Sequence, residues 1–184
     1  PPTLDALLGE YDRYWQETDE NVVKYGKDDS RESLALLAQR MLAAFQASSL
    51  AMPEGHIIGV EEQLRGRVID GCPDLLGRID LLVETGRELI VTDLKTARSR
   101  WSRSQIDDQA GQLLLYAELV RPLAPRKKLR LRFAVVSKSK VPSVELHEVD
   151  ADPKKIDRAK LIVARVWKAI EAKSFYPNPS PMQC

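Results

Sequence analysis

Two aspartates and a lysine are the residues of this chain whose types and spacing best suit chemistry. Asp80 lies in the apolar run 75–84, and Asp93 and Lys95 lie in a second run, 88–96. Between the runs stands Glu84-Thr85-Gly86-Arg87, where Gly86 can take the positive φ of a hairpin turn. Side chains alternate along a strand, so Val91, Asp93 and Lys95 share one face while Ile90, Thr92 and Leu94 take the other. By the same alternation Asp80 falls on the face of Leu76 and Leu82. A hairpin then sets Asp80 beside Asp93, and two carboxylates and an ammonium converge at one end of a sheet. Carboxylates held that close raise each other's pKa unless a cation neutralises them. A hard divalent ion with oxygen ligands, Mg²⁺ or Mn²⁺, meets that need. Lys95 cannot be a ligand while protonated, but it suits holding an attacking water or offsetting charge on a phosphate. The competing account is a solvated Asp/Lys pair on an edge strand, because D-x-K alone arises often by chance.

The next helix carries a second set. Gln105, Gln109, Gln112 and Tyr116 recur at helical spacing as a polar stripe, beside an apolar stripe of Ile106, Ala110, Leu113, Ala117 and Val120. Such a helix buries one side on the sheet and offers amides and a phenol at the border. Those groups suit hydrogen bonds to phosphate or sugar, which position a strand without reading its sequence.

Gly77-Arg78-Ile79-Asp80, then Thr92-Asp93-Leu94-Lys95-Thr96, then Gln112-Leu-Leu-Leu-Tyr116, in that order on two strands and a helix, resembles the RecB-like branch of the PD-(D/E)xK nuclease superfamily. The resemblance covers about residues 57–120. It implies a restriction-endonuclease-like core and a metal-dependent DNA nuclease, most simply an exonuclease. It further implies that Asp80 and Asp93 bind Mg²⁺ or Mn²⁺, that the Leu94 carbonyl completes the site, and that Lys95 assists the attacking water. Gln112 and Tyr116 would position the strand. Members of this branch usually add an acidic residue or a histidine from an N-terminal helix. No histidine occurs in residues 1–55, which leaves Asp29 or Glu32 for that role. A carboxylate at a helix start is also favourable with the macrodipole alone. DNA is the implied partner, in repair or recombination, with a helicase or other recombination protein as the kind of protein that would feed it substrate. The alternative is a catalytically inactive nuclease-fold module that binds DNA or a partner protein.

The elements that must position these residues can be read in order. A chain of 184 residues suits one domain with a sizeable core, 1–184, which could be excised from a longer chain given its Pro-Pro start. With 43% hydrophobic and 30% charged residues it reads as an ordinary globule, and a net charge of +1 requires any nucleic-acid affinity to come from local patches. No apolar run approaches membrane-spanning length, and two cysteines 112 positions apart make no disulfide framework, so an intracellular, cytoplasmic setting is expected. Leu4, Leu7, Leu8, Tyr11 and Trp15 predict a helix over 3–18 capped by Thr3. Leu34, Leu37, Met41, Leu42, Ala44 and Phe45 predict one over 30–47, capped by Ser30 with Ser33 in the place of the usual Glu. Residues 57–66 read as a strand with Ile58, Val60, Glu62 and Leu64 on one face. If that face is the core, Glu62 needs a partner such as Lys95 or the metal; otherwise it is an exposed edge charge, or a bulge shifts the phase. His56 reads as a solvated loop residue.

Past Lys95, Arg98, Arg100 and Arg103 surround Trp101, a set suited to pairing with phosphate and stacking on a base. The basic run 121–132 could track a phosphate backbone or guard an edge strand against pairing. Strands are expected at 129–136 and 144–149, and then a helix from Pro153 to about Lys173 with a broad buried side of Ile156, Ala159, Leu161, Ile162, Val163, Val166, Trp167 and Ile170. The tail, 174–184, is proline-rich. In several RecB-like exonucleases a similar tail leads to cysteines holding a [4Fe–4S] cluster; Cys184 alone cannot hold one, so no Fe–S cluster is expected from this chain. The expected fold is α/β: a central mixed sheet of about five strands, in the order helix, three strands, helix, two strands, helix.

Overall fold

The computed structural model describes residues 2–19 and 22–174. The proline-rich tail and Cys184 lie outside the described residues. Two helices open the chain, α1 (Leu4–Glu17) and α2 (Arg31–Gln46). Both start as the sequence predicts. Thr3 accepts from the Ala6 amide, and Ser30 and Ser33 form a reciprocal capping box, a serine hydroxyl doing the work of the usual Glu.

Five strands follow: β1 (His56–Gly66), β2 (Leu75–Glu84), β3 (Glu88–Ala97), β4 (Lys128–Ser137) and β5 (Val144–Val149). They form one mixed sheet in sequence order, antiparallel except for the parallel pair β3/β4. A parallel pair needs a crossover, and α3 (Arg103–Val120) supplies it. Helix α3 lays Ile106, Ala110, Leu113, Ala117 and Val120 on the sheet against Leu89, Val91, Leu131 and Phe133, which makes the main core. This is the α/β architecture the pattern of runs implies. The final helix, α4 (Pro153–Glu171), starts at an Asp152 cap with Pro153 in its first turn.

Several local expectations are corrected. The β2–β3 turn does not use a left-handed Gly86, since the positive φ values among glycines belong to Gly55 and Gly71. Thr85 organises it instead: its hydroxyl accepts from the Glu88 amide at 2.9 Å, and the Thr85 amide donates to the Glu88 carbonyl at 2.9 Å. β1 is an edge strand whose alternation breaks twice, by a register shift between Ile57 and Gly59 and by Glu61 at φ 52°. Ile58 and Val60 are therefore 44% and 62% exposed, and Glu62 is exposed, in line with the alternative of an edge charge beside a bulge. His56 begins the strand rather than preceding it. β4 lies between β3 and β5, so the basic run does not guard an edge. α4 buries only Ile156 and Ala159, while Leu161, Ile162, Val166 and Ile170 stay exposed.

Candidate active site

The site lies where β2 and β3 part. Their ladder runs from Glu84↔Leu89 to Leu81↔Thr92 and stops. One step further the Asp80 carboxylate replaces a backbone acceptor: the Leu94 amide donates to Asp80 Oδ2 at 2.6 Å. A charged acceptor makes a shorter, stronger bond than a carbonyl. Asp80 is thereby held across the gap between the strands.

Asp80 does not share a face with both Leu76 and Leu82. Ile79 and Leu82 both enter the core under α3, while Leu81 and Val83 join Ile90 on the opposite face, and Leu76 is 59% exposed. Alternation thus breaks at Asp80–Leu81. On the neighbouring strand the matching position is Glu61, with its positive φ, and Glu61 and Asp80 are the one skipped pair in an otherwise continuous register from Gly59↔Leu82 to Gly66↔Leu75. An irregularity shared by two strands frees the Asp80 side chain from both faces, as bulges beside active sites do.

β3 keeps the regular phase expected of it, so Asp93 and Lys95 fall on the α3 face. Asp93 is 3% exposed, and Lys95 Nζ stands 2.7 Å from its Oδ2. Apart from that ammonium, Oδ2 meets no hydrogen-bond donor. Burial, the largest cause, pushes the Asp93 carboxyl above the ordinary carboxylate range; Lys95 pulls it back, and the Asp80 charge adds to the rise. Phe133 is the register partner of Asp93, and His147 that of Phe133, so one row of side chains runs from the carboxylate across β4 to β5. Trp101 covers that row, its ring 5.2 Å from Phe133 and nearly parallel to His147 at 6.4 Å. The carboxylate therefore has an apolar wall on one side.

The structure brings together Asp80, Asp93, Lys95 and the Leu94 backbone. It does not bring Asp29 or Glu32 to them: among the described residues no group of three His, Cys, Asp or Glu side chains converges. Glu32 is held near the start of α2, where its own backbone amide first, and the Ser30 hydroxyl second, keep its carboxyl below the usual range. Gln112 and Tyr116 stand on α3 with Gln112 Nε2 donating to the Tyr116 hydroxyl at 2.8 Å, Gln112 exposed and Tyr116 buried. Gly77 ties this pair to β2, since a β-carbon there would lie 2.8 Å from Tyr116 Cε1. Gln105 is used locally, its side chain capping the Ser102 amide at 2.8 Å. Arg98 is exposed, Arg100 pairs with Glu145 at 2.8 Å, and Trp101 is turned into the protein rather than standing free for a base. Sequence reading passed over His147 beneath Trp101; strict alternation along β5 was the signal that could have found it.

A family model for the PD-(D/E)XK nuclease superfamily matches residues 1–184. No curated protein sequence matches the chain. Among solved structures, that of a candidate exonuclease from Eubacterium rectale superimposes with a TM-score of 0.60 at 14% identity, covering 100% of this chain and 73% of that one. The structure of SSO0001 gives a TM-score of 0.45 at 13% identity, covering 97% of this chain and 90% of that one. The first likeness is one of fold alone. With the family model spanning the full length, the chain belongs to the PD-(D/E)XK nuclease superfamily.

Proposed function

We propose that this chain, as a single domain over 1–184, is a metal-dependent deoxyribonuclease of the RecB-like branch that hydrolyses phosphodiester bonds as an exonuclease. The observation that carries the reading is the meeting of Asp80, Asp93 and Lys95 at the gap between β2 and β3. The donor set fits a hard divalent ion: two carboxylates, one of them buried with a single cationic neighbour, and the Leu94 carbonyl beside them. Mg²⁺ is commonly held by one or two carboxylates plus waters and substrate phosphates, so this assignment needs no carboxylate from α2. A Mg²⁺ or Mn²⁺ ion held there supplies positive charge to the phosphate and a more acidic water.

The remaining steps belong to the chain's own groups. Asp80, fixed by the Leu94 amide, and Asp93, buried beneath Trp101 and Phe133, supply ligands that need no reorganisation on binding. Lys95 leaves its contact with Asp93 Oδ2 to orient the attacking water and offset charge on the phosphate. Gln112 and Tyr116 brace β2 and offer polar groups at the border of α3, and the exposed Arg98 suits pairing with a strand phosphate. A helicase or other recombination protein would then deliver the strand inside the cell. No helix among the described residues is long and apolar enough to cross a membrane.

The test is incubation with single- and double-stranded DNA, and with RNA, in Mg²⁺, Mn²⁺ and EDTA. Metal-dependent cutting of DNA that Asp93→Ala and Lys95→Ala each abolish supports the reading. Cutting that persists in both variants rejects the site. A second reading, an inactive nuclease-fold module that holds DNA or a partner protein, is favoured by the absence of a third converging ligand among the described residues. It predicts salt-dependent DNA binding without cutting.

A further inference from the structure

Among the described residues Arg132 is the one buried cation, and no carboxylate is in direct ion-pair contact with it. It is 7% exposed, and its Nε donates to Thr92 Oγ1 at 2.9 Å. No carboxylate among the described residues comes within ion-pairing distance of it, whereas Arg130, two residues earlier on the same face, pairs with Glu148 at 2.8 Å and reaches Glu88 at 3.7 Å. Burial first, and Arg130 second, hold the Arg132 pKa below its usual value, against the opposing pull of Glu148, its register partner on β5. A guanidinium so largely buried with one neutral acceptor and no direct ion pair is costly, and its other nitrogens, which are not among the buried unpartnered atoms, open on the solvent of a groove. Something besides Thr92 is therefore expected to meet it.

Arg132 lines a groove of about 360 Å³ between the sheet and residues 49–54, within the size range of small-molecule sites. The groove is on the face of the sheet away from α3 and hence away from Asp93. Its walls include Met52, Ile90 and Leu146, which are apolar. Glu54 and Glu88 also line it, and Arg130 is already neutralised by its own partners. Those carboxylates repel a dianion or a polyanionic strand, but a single negative charge against Arg132 is compensated. The planar guanidinium fork matches a carboxylate with two parallel bonds.

We propose that this groove binds a small monocarboxylate with an apolar body, its carboxylate on Arg132 and its body against Ile90 and Leu146. The site is independent of whether the chain cleaves DNA. It is tested by calorimetric titration and thermal unfolding with benzoate and 4-methylpentanoate, with benzamide and inorganic phosphate as controls. The two carboxylates are expected to bind saturably to the wild-type chain, and benzamide and phosphate to bind at least roughly tenfold more weakly. Arg132→Met is expected to weaken benzoate by about ten- to a hundredfold, without lowering the unfolding midpoint of the unliganded protein. Ser49→Trp, on the exposed rim, leaves Arg132 intact and is expected to block the groove, which keeps the test decisive if Arg132→Met does not fold. The proposal is overturned if neither carboxylate binds, if phosphate binds as tightly as benzoate, or if both variants keep wild-type affinity. A lowered midpoint in Arg132→Met with unchanged benzoate binding also overturns it, because Arg132 would then be a structural partner of Thr92 alone.

Discussion

Adding one methyl group at Gly77 should damage both the fold and the site, and the structure sets the size of the effect. A β-carbon there would stand 2.8 Å from Leu119 Cδ1, 2.8 Å from Tyr116 Cε1 and 3.1 Å from Tyr116 Cδ1. Both neighbours are 8% exposed and belong to α3; Leu119 Cδ1 ends a flexible side chain, whereas the Tyr116 ring is held in the core, so a side chain or the helix must shift to admit the new methyl. Overpacking of a closed core costs about 1–3 kcal/mol. Replacing a strand glycine by alanine recovers roughly 0.5–1 kcal/mol of chain entropy. Gly77→Ala is therefore expected to lose about 1–2 kcal/mol net in urea unfolding, or a few degrees in midpoint for a chain of this size. The larger consequence is catalytic. Asp80 is three residues along β2, and a displacement of about 1 Å at a reacting group can cost on the order of a hundredfold in rate. Cutting of DNA by the folded variant in saturating Mg²⁺ should fall by that order, and Leu119→Ala in the same chain should restore part of the stability. Gly77→Ala with wild-type stability and wild-type cutting would refute the coupling of β2 to α3 through this contact.

Two further outcomes follow from the same geometry. The Asp93 carboxyl, raised chiefly by burial, binds its proton more tightly in the folded chain than in the unfolded one. Between the ordinary carboxylate pKa and the raised folded value the folded state thus carries more protons, and stability should fall as pH climbs through that window. Thermal unfolding in EDTA at a series of pH values should show the decline in wild type and a flatter profile in Asp93→Asn. Trp101 packs on Phe133 and His147, so Trp101→Ala should cost about 2 kcal/mol or more of stability. A base-stacking role would instead remove about 1–3 kcal/mol of single-stranded DNA affinity, and parallel unfolding and binding measurements separate the two.

Much of the fold was legible because its central strands follow simple alternation. Val91, Asp93 and Lys95 fall on one face of β3 as alternation predicts, and in the structure that face, with Leu89, lies under α3. Where the period breaks, reading failed. Nothing in the residues of β1 or β2 announces that Glu61 takes a positive φ or that β2 changes phase at Asp80, because the irregularity belongs to the pairing of the two strands and not to either run alone. The apolar stripe of α4 was read as buried, yet periodicity records which residues share a face and not whether anything covers it. Gln105 was placed in a functional stripe although Ser102 three residues before it already offered a capping box. Composition alone makes Trp101 and its arginines look outward-facing, and only the register of β3, β4 and β5 shows the ring covering the row beside Asp93.

Binding of Mn²⁺, followed by electron paramagnetic resonance without DNA, tests the site most directly. Wild-type protein should bind Mn²⁺ saturably, and Asp80→Asn and Asp93→Asn should each weaken that binding by about tenfold or more, the worth of one lost carboxylate ligand. Binding that survives unchanged in the double variant would place the metal elsewhere, and the gap between β2 and β3 would then not be where this chain holds it.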